Sequence, residues 1–378
     1  MLRKCRVCKS RKLKKVFSLG KQPPANNFLK TRNEKEKSYP LDLYECQHCT
    51  LLQLGYVVPK EKLYDNYTYI PSASKTYLKH FQNLADKLIK EIPLEENSFV
   101  VDIGGSDGSF LQAFKDRRME VLNIEPAQNI EVKESIPVIR KYFNKKVAQE
   151  ISKEYSKARL ITATNSFAHI DNLHEYLEAL DILLHKDGVF FAQFPDARNL
   201  LKENQFDTIY HEHLSYFSYE SLHHLFANSP FELFNITSDN IHGGSMQIWV
   251  RRRPKLLENF ISGSINIVAE LKALVDDAHI EGKKVVGFGA AAKGTVLLNA
   301  ADLHLDYIVD ATPYKQGKFV PGVKIPIYPE EHLLKDPPDI VVILAWNFKD
   351  EIMEKLKGRG YTFVVPIPKV KIYAGSKS

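Results

Sequence analysis

Residues 99–103 (FVVDI) form a short, almost unbroken apolar run that enters a glycine-rich turn, after which apolar residues return at helical spacing (SFLQAFK). A short apolar run of this kind predicts a strand buried on both faces, and the change of period predicts a helix packed upon it. The alternation recurs. EVLNIEP (120–126), ARLITATNSF (158–167) and GVFFAQFP (188–195) read as strands, and HEYLEALDILLHKDG (174–188) reads as the helix between the last two. FELFNITS (231–238) and SMQIWVRR (245–252) read as a strand pair closed by a hairpin-like connection. Strands alternating with helices predict an α/β fold around a mainly parallel sheet. After RRRP (251–254) a helical stretch over residues 255–280 stops at Gly282, and KKVVGFGAAAKGTVLLNA (283–300) repeats the strand, glycine loop and helix. LDYIVDATPYKQGKFVPG (305–322), PDIVVILAW (338–346) and FVVPIP (363–368) supply further strands, which makes a second Rossmann-like unit.

At 378 residues the chain suits two to three domains, and 44% hydrophobic with 26% charged residues is the composition of an ordered globular protein. The net charge of +6 is concentrated near the start (RKCRVCKSRKLKKVF). Nothing there resembles an RNA-binding aromatic signature or a recognition helix, so the basic end reads as a solvated face and no nucleic-acid partner is expected. The start has no apolar signal core, and the longest apolar run (residues 339–346) is far too short for a bilayer, so the expectation is a cytoplasmic protein without membrane contact.

Cys5-x-x-Cys8 and Cys46-x-x-Cys49 use all four cysteines. Paired C-x-x-C units in a reducing compartment read as one tetrahedral thiolate site, and four thiolates leave no position open for water. The expectation is therefore structural zinc; rubredoxin-like iron and a redox pair are the alternatives.

The loop after the first strand reads Asp102-x-Gly104-Gly105-Ser106-Asp107-Gly108, and the next strand ends at Glu125. Glycines at a helix start let backbone approach a ligand, and an acid at that strand end can accept from both ribose hydroxyls. The acidic D-x-G-x-x-x-G loop with a closing strand pair resembles the class I S-adenosylmethionine (SAM)-dependent methyltransferases. That resemblance implies SAM as cofactor, with Asp102, Gly104, Gly108, Glu125 and Asn165 around it.

The stretch DTIYHEHLSYFS (207–218) carries Tyr210-His211-Glu212-His213 beyond the fifth strand of the sheet, and NSFAHI (165–170) brings His169 towards the same cleft. Two histidines one residue apart suit a metal, a proton transfer or a polar corner of a core, and no third ligand lies at the spacing of known zinc helices. The role of His211 stays open.

Cysteine knuckles, an IGxxDG loop, Y-x-E-H and GFGAAAKGTVLLN in that order resemble the nucleotide-sugar C-methyltransferases over essentially the whole chain. The resemblance implies His213 as the base, assisted by Glu212 and Tyr210, with His169 as a further histidine and Tyr67 facing substrate. It also implies that the last domain holds the nucleotide-sugar, with Lys293 and Gly289 at the phosphates. Chemistry agrees. Carbon is a poor nucleophile, a hydrogen beside a ketone is acidic, and a near-neutral histidine suits its removal.

The expected architecture is a zinc-binding domain (1–70), a class I methyltransferase domain with a seven-stranded sheet (71–253) and a C-terminal Rossmann-like domain (254–378). The expected activity is SAM-dependent C-methylation of a nucleotide-linked 4-keto-deoxysugar, at C-3, by a monomer or small homo-oligomer. The rivals are O- or N-methylation of a sugar or small metabolite, a zinc-containing NAD-binding reductase, and a nucleic-acid module.

Overall fold

The chain opens with a sheet that its hydrophobic pattern does not announce. Strands β1 (Leu13–Gln22), β2 (Tyr39–Cys46) and β3 (Leu52–Leu54) pair antiparallel. No side chain of β1 is buried, so the alternation that marks a half-buried strand is missing there. This is the computed structural model of the protein, and it describes residues 2–65, 67–68 and 70–375. The chain divides into two compact units, Met1–Arg253 and Pro254–Ser378.

Helices α1 (Lys60–Tyr64) and α2 (Lys75–Glu91) follow. Ser74 caps α2 by accepting from the Tyr77 amide, and Phe81, Leu84, Ala85 and Leu88 form its buried stripe. The large sheet is then built from β4 (Phe99–Ile103), α3 (Ser109–Lys115), β5 (Glu120–Ile124), β6 (Val138–Ile139), α4 (Lys145–Glu154), β7 (Ala158–Thr164), α5 (Leu173–Leu183) and β8 (Leu184–Pro195). After α6 (Ala197–Lys202), β9 (Ser215–Tyr216) and α7 (Tyr219–Ala227), the pair β10 (Phe231–Asp239) and β11 (Ser245–Arg252) completes it. The order is β10-β11-β8-β7-β4-β5-β6, with β4 to β8 parallel and β11 antiparallel to both its neighbours. This is the expected seven-stranded methyltransferase-type sheet. Residues 184–188, expected at the end of a helix, instead begin β8. Leu184 pairs with Ala158, and the register then slips so that Val189 pairs with Leu160.

The sheet separates two cores. Phe81, Phe110, Phe114 and Trp249 pack on one face. On the other, Phe167, Phe190, Phe194 and Phe217 join Cys5, Val7, Cys46, Cys49 and Leu51 in one buried cluster. The cysteine segment thus shares its core with the large sheet, and its own small sheet takes its fourth strand from far along the chain: β9 pairs with β3, Tyr216 against Leu52 and Ser215 against Gln53.

The second unit begins with α8 (Leu256–Ile280) and continues through β12 (Val285–Phe288), α9 (Ala292–Ala300), β13 (Tyr307–Val309), β14 (Ile327–Tyr328) and α10 (His332–Lys335). It ends with β15 (Ile340–Ile343), α11 (Lys349–Lys355), β16 (Thr362–Val365) and β17 (Lys371–Tyr373). Its sheet, β14-β13-β12-β15-β16-β17, is parallel except for β17. The run at residues 363–368 gives β16, and β17 turns back antiparallel along it.

Candidate active site

The first unit encloses a cavity of about 1090 Å³, at the upper end of the range for small-molecule sites and so roomy enough for a cofactor beside an acceptor. One wall is the turn after β4. Gly104, Ser106 and Gly108 all have positive φ. A side chain on Gly104 would also place its Cβ 2.7 Å from that of Ser166, so this backbone lies open to a ligand only because glycine occupies the position.

Glu125, at the end of β5, is buried, and its two carboxylate oxygens accept from Ser106 N at 2.9 Å and Ala127 N at 2.8 Å. Burial pushes its pKa up, against the pull of those amides. Asp102 is fully buried. Its Oδ1 accepts from Thr162 Oγ1 at 2.7 Å, while Oδ2 has no protein partner. Burial raises this carboxyl to about 6. Asn165 has positive φ, donates its amide to the Tyr77 hydroxyl and leaves Oδ1 unpartnered. Two buried oxygens lacking partners beside an open glycine turn suit a small polar ligand, and the acid beyond the second strand suits a ribose. These residues fit SAM.

The opposite wall carries the aromatic and imidazole groups. Leu54 N donates to Leu214 O, and Leu214 N donates to Ala168 O, both at 3.0 Å. This strings residues 210–216 between β3 and the turn after β7, and it brings the His213 and His169 rings to 5.3 Å. His213 is buried, with Nδ1 3.0 Å from the Thr208 carbonyl and Nε2 2.8 Å from the Tyr210 hydroxyl. A carbonyl only accepts, so Nδ1 carries the proton and Nε2 is the basic nitrogen. Burial, and then the neighbouring His213, hold the His169 imidazole well below its ordinary range, so it is neutral. Its Nε2 has no protein partner, and Tyr64 stacks on it at 5.7 Å. Tyr67 also lines the cavity; its backbone is clasped by Asn129, and its ring lies 5.8 Å from that of Tyr64.

Glu212 does not set the His213 tautomer, which the Thr208 carbonyl does; its carboxylate accepts from Asn26 Nδ2 at 3.0 Å. His211 points to the Tyr39 carbonyl, at 3.3 Å, away from the cavity. Among the described residues the four cysteines alone cluster three or more metal-ligating side chains, so the metal reading of His211 with His213 falls. Asn26, Tyr64 and Thr208 were missed because they come from loop and short-helix positions with no periodic or motif signal.

The four Sγ atoms lie within 4.8 Å of one another, with Cys5 to Cys49 and Cys8 to Cys46 both at 3.5 Å. Zinc–sulfur bonds of about 2.3 Å put tetrahedral sulfurs about 3.8 Å apart, so the set fits one zinc ion. Sulfurs this close cannot all ionise alone. The hydrogen bond to Cys49 draws Cys5 down to about 4, and Cys49 is pushed up in return.

In the second unit Gly289 has positive φ, and its absent Cβ leaves room for Ala345. Lys293 is exposed in the first turn of α9, with its ammonium donating to the side-chain Oδ1 of Asn347 and 4.3 Å from the centre of the Trp346 ring. Asp310 accepts from Ala290 N at 2.7 Å, Thr312 N at 2.8 Å and Lys315 Nζ at 3.0 Å. Burial opposes its ionisation, yet these bonds hold it below the usual carboxylate range.

Three family models match the chain in succession: "Putative zinc binding domain" over residues 5–64, "Methyltransferase domain" over 77–235 and "C-methyltransferase C-terminal domain" over 252–368. C-methyltransferase NovU of Streptomyces niveus is 32% identical across 99% of this chain and 97% of its own. Among solved structures, a SAM-dependent methyltransferase from Anabaena variabilis ATCC 29413 covers 52% of this chain and all of its own, at 12% identity and a TM-score of 0.36. Magnesium protoporphyrin IX methyltransferase (ChlM) from Synechocystis PCC 6803 with bound SAH covers 47% and 84%, at 11% identity and 0.37. At those values neither structure bears on function. The full-length relative and the three matched domains do, and with them the chain belongs to the SAM-dependent C-methyltransferases.

Proposed function

We propose that the acceptor is a nucleotide-linked 4-keto-deoxysugar methylated at C-3, with His213 as the base. The observation that carries this reading is the His213 ring, locked through Nδ1 on the Thr208 carbonyl so that its basic Nε2 meets the Tyr210 hydroxyl at the cavity wall. C-methylation needs a carbanion equivalent, and a ketone beside the reacting carbon lowers the cost of forming one. Rotation of the Tyr210 hydroxyl away from Nε2 frees the base and puts a donor on the ketone oxygen, where charge develops as the C-3 proton moves to His213. Neutral His169 serves as a second polar contact for that oxygen and adds no competing charge. SAM, when bound, supplies the electrophilic methyl group. Glu125 would hold its ribose, with Asp102, Gly104, Gly108 and Asn165 around the remainder. Tyr67 faces the sugar. Lys293 and Gly289 in the second unit are proposed phosphate contacts, since an exposed lysine in the first turn of a helix suits an anion.

The test is hydrogen exchange. With dTDP-4-keto-6-deoxyglucose and S-adenosylhomocysteine in D₂O, the enzyme is expected to wash out the C-3 hydrogen, and His213→Asn to lose exchange and methylation while still binding both ligands. A general base is worth about 10²–10⁴ in rate. No exchange by the wild type, or a methoxy signal in the product's NMR spectrum, rejects the mechanism.

A further inference from the structure

One cavity-wall residue lies outside every motif in the chain. Asn26, on the loop after β1, lines the cavity, and its Nδ2 donates to Glu212 Oε1 at 3.0 Å. Glu212 itself is fully buried and does not line the cavity, and its second oxygen has no protein partner. Burial raises the Glu212 carboxyl, and the bond from Asn26 works to keep it ionised.

The Glu212 Oε1 accepts from Asn26 Nδ2, and that bond sets which way the Asn26 amide is turned. The NH₂ group faces Glu212, and the carbonyl oxygen is what Asn26 has left for the cavity. The loop is pinned in place, since Thr68 Oγ1 donates to the Asn26 carbonyl at 3.4 Å. Nearby polar groups are already committed. The Tyr64 hydroxyl donates to the Glu212 carbonyl at 3.4 Å, and the Thr208 carbonyl accepts from both His213 and Tyr216. Asn26 therefore adds a side-chain carbonyl acceptor to this wall.

We propose that Asn26 is a substrate-orienting residue: its side-chain carbonyl accepts a hydrogen bond from a hydroxyl of the bound sugar. Glu212 never touches substrate and is a positioning residue that holds the amide in that sense. This rests on the ketosugar reading above. The cysteine segment then contributes to acceptor recognition as well as to structure.

The experiment is calorimetry on the zinc-loaded, full-length chain saturated with S-adenosylhomocysteine, titrated with dTDP-4-keto-6-deoxyglucose and separately with dTDP. Asn26→Ala is expected to weaken the sugar nucleotide by about tenfold, the loss of one hydrogen bond in an enclosed site. It leaves dTDP, S-adenosylhomocysteine and zinc content unchanged. Glu212→Gln, which can present either face to Asn26, is expected to lose less, and the double variant to be no worse than Asn26→Ala, because Glu212 acts only through Asn26. Asn26→Ser gives the same readout should the alanine variant not fold. Equal loss for dTDP, or additive losses in the double variant, overturns the inference. Wild-type binding that Asn26→Ala leaves unaffected overturns it alone, whereas a wild type that does not bind the sugar nucleotide overturns the ketosugar reading and this inference with it.

Discussion

Glu125 spends one lone pair of each oxygen on the amides of Ser106 and Ala127 and keeps the others for a ligand. Those amide bonds fix the carboxylate in place. Glu125→Ala is expected to weaken SAM by about 1–3 kcal/mol in calorimetry, through the lost charged hydrogen bonds and the slackened loop. Asp102 carries a different cost. Its pKa rises from 3.8 to about 6 on folding, so the folded chain holds the proton more tightly than the unfolded one. The sign follows: stability falls as pH rises from about 4 to about 6 and then levels off, by a total of about 3 kcal/mol. Asp102→Asn keeps an oxygen for Thr162 and removes the buried charge. Denaturant melts should find it more stable than the wild type at pH 7.5, level with it near pH 4, and poorer at binding SAM. Equal stability at both pH values would reject this account.

At the scale of elements, the strands that could be read were the ones buried on both faces. β4, β5, β7 and β8 of the large sheet and β12 and β15 of the second unit each carry a run of at least four consecutive buried, mostly apolar residues. β1 escaped because nothing in it is buried, and β9 because two residues carry no period. The same divide holds in the site. Asp102, Glu125 and the cysteines announce themselves by spacing, whereas Asn26 and Thr208 act from loops through one amide and one backbone carbonyl. The cysteines hold β2 and the turns around it, and that sheet ends in β9, two residues beyond His213. Removing zinc with a chelator, or Cys49→Ser, is therefore expected to lower the melting temperature and weaken sugar-nucleotide binding together. Intact affinity in metal-free protein would show that the two are uncoupled.

Across the whole molecule one design is used twice: strand, glycine turn, helix, strand, acid. Glu125 and Asp310 each accept from an amide in the turn and from the amide two residues beyond themselves. They differ in that Lys315 also pairs with Asp310. No helix among the described residues is long and apolar enough to cross a membrane.

The pairing of β3 with β9 also sets an order of events during synthesis. Residues 52–54 leave the ribosome long before their partner at 215–216, at roughly 5–20 residues per second. For several seconds the small sheet has an open edge, with backbone amides and carbonyls ready to pair with any extended chain nearby. Charge suits that wait: Lys14, Lys15, Glu45 and Asp42 are spread along the neighbouring strands, and charged side chains discourage edge-to-edge association. The nascent chain thus carries its own protection until residues 215–216 arrive to close the sheet.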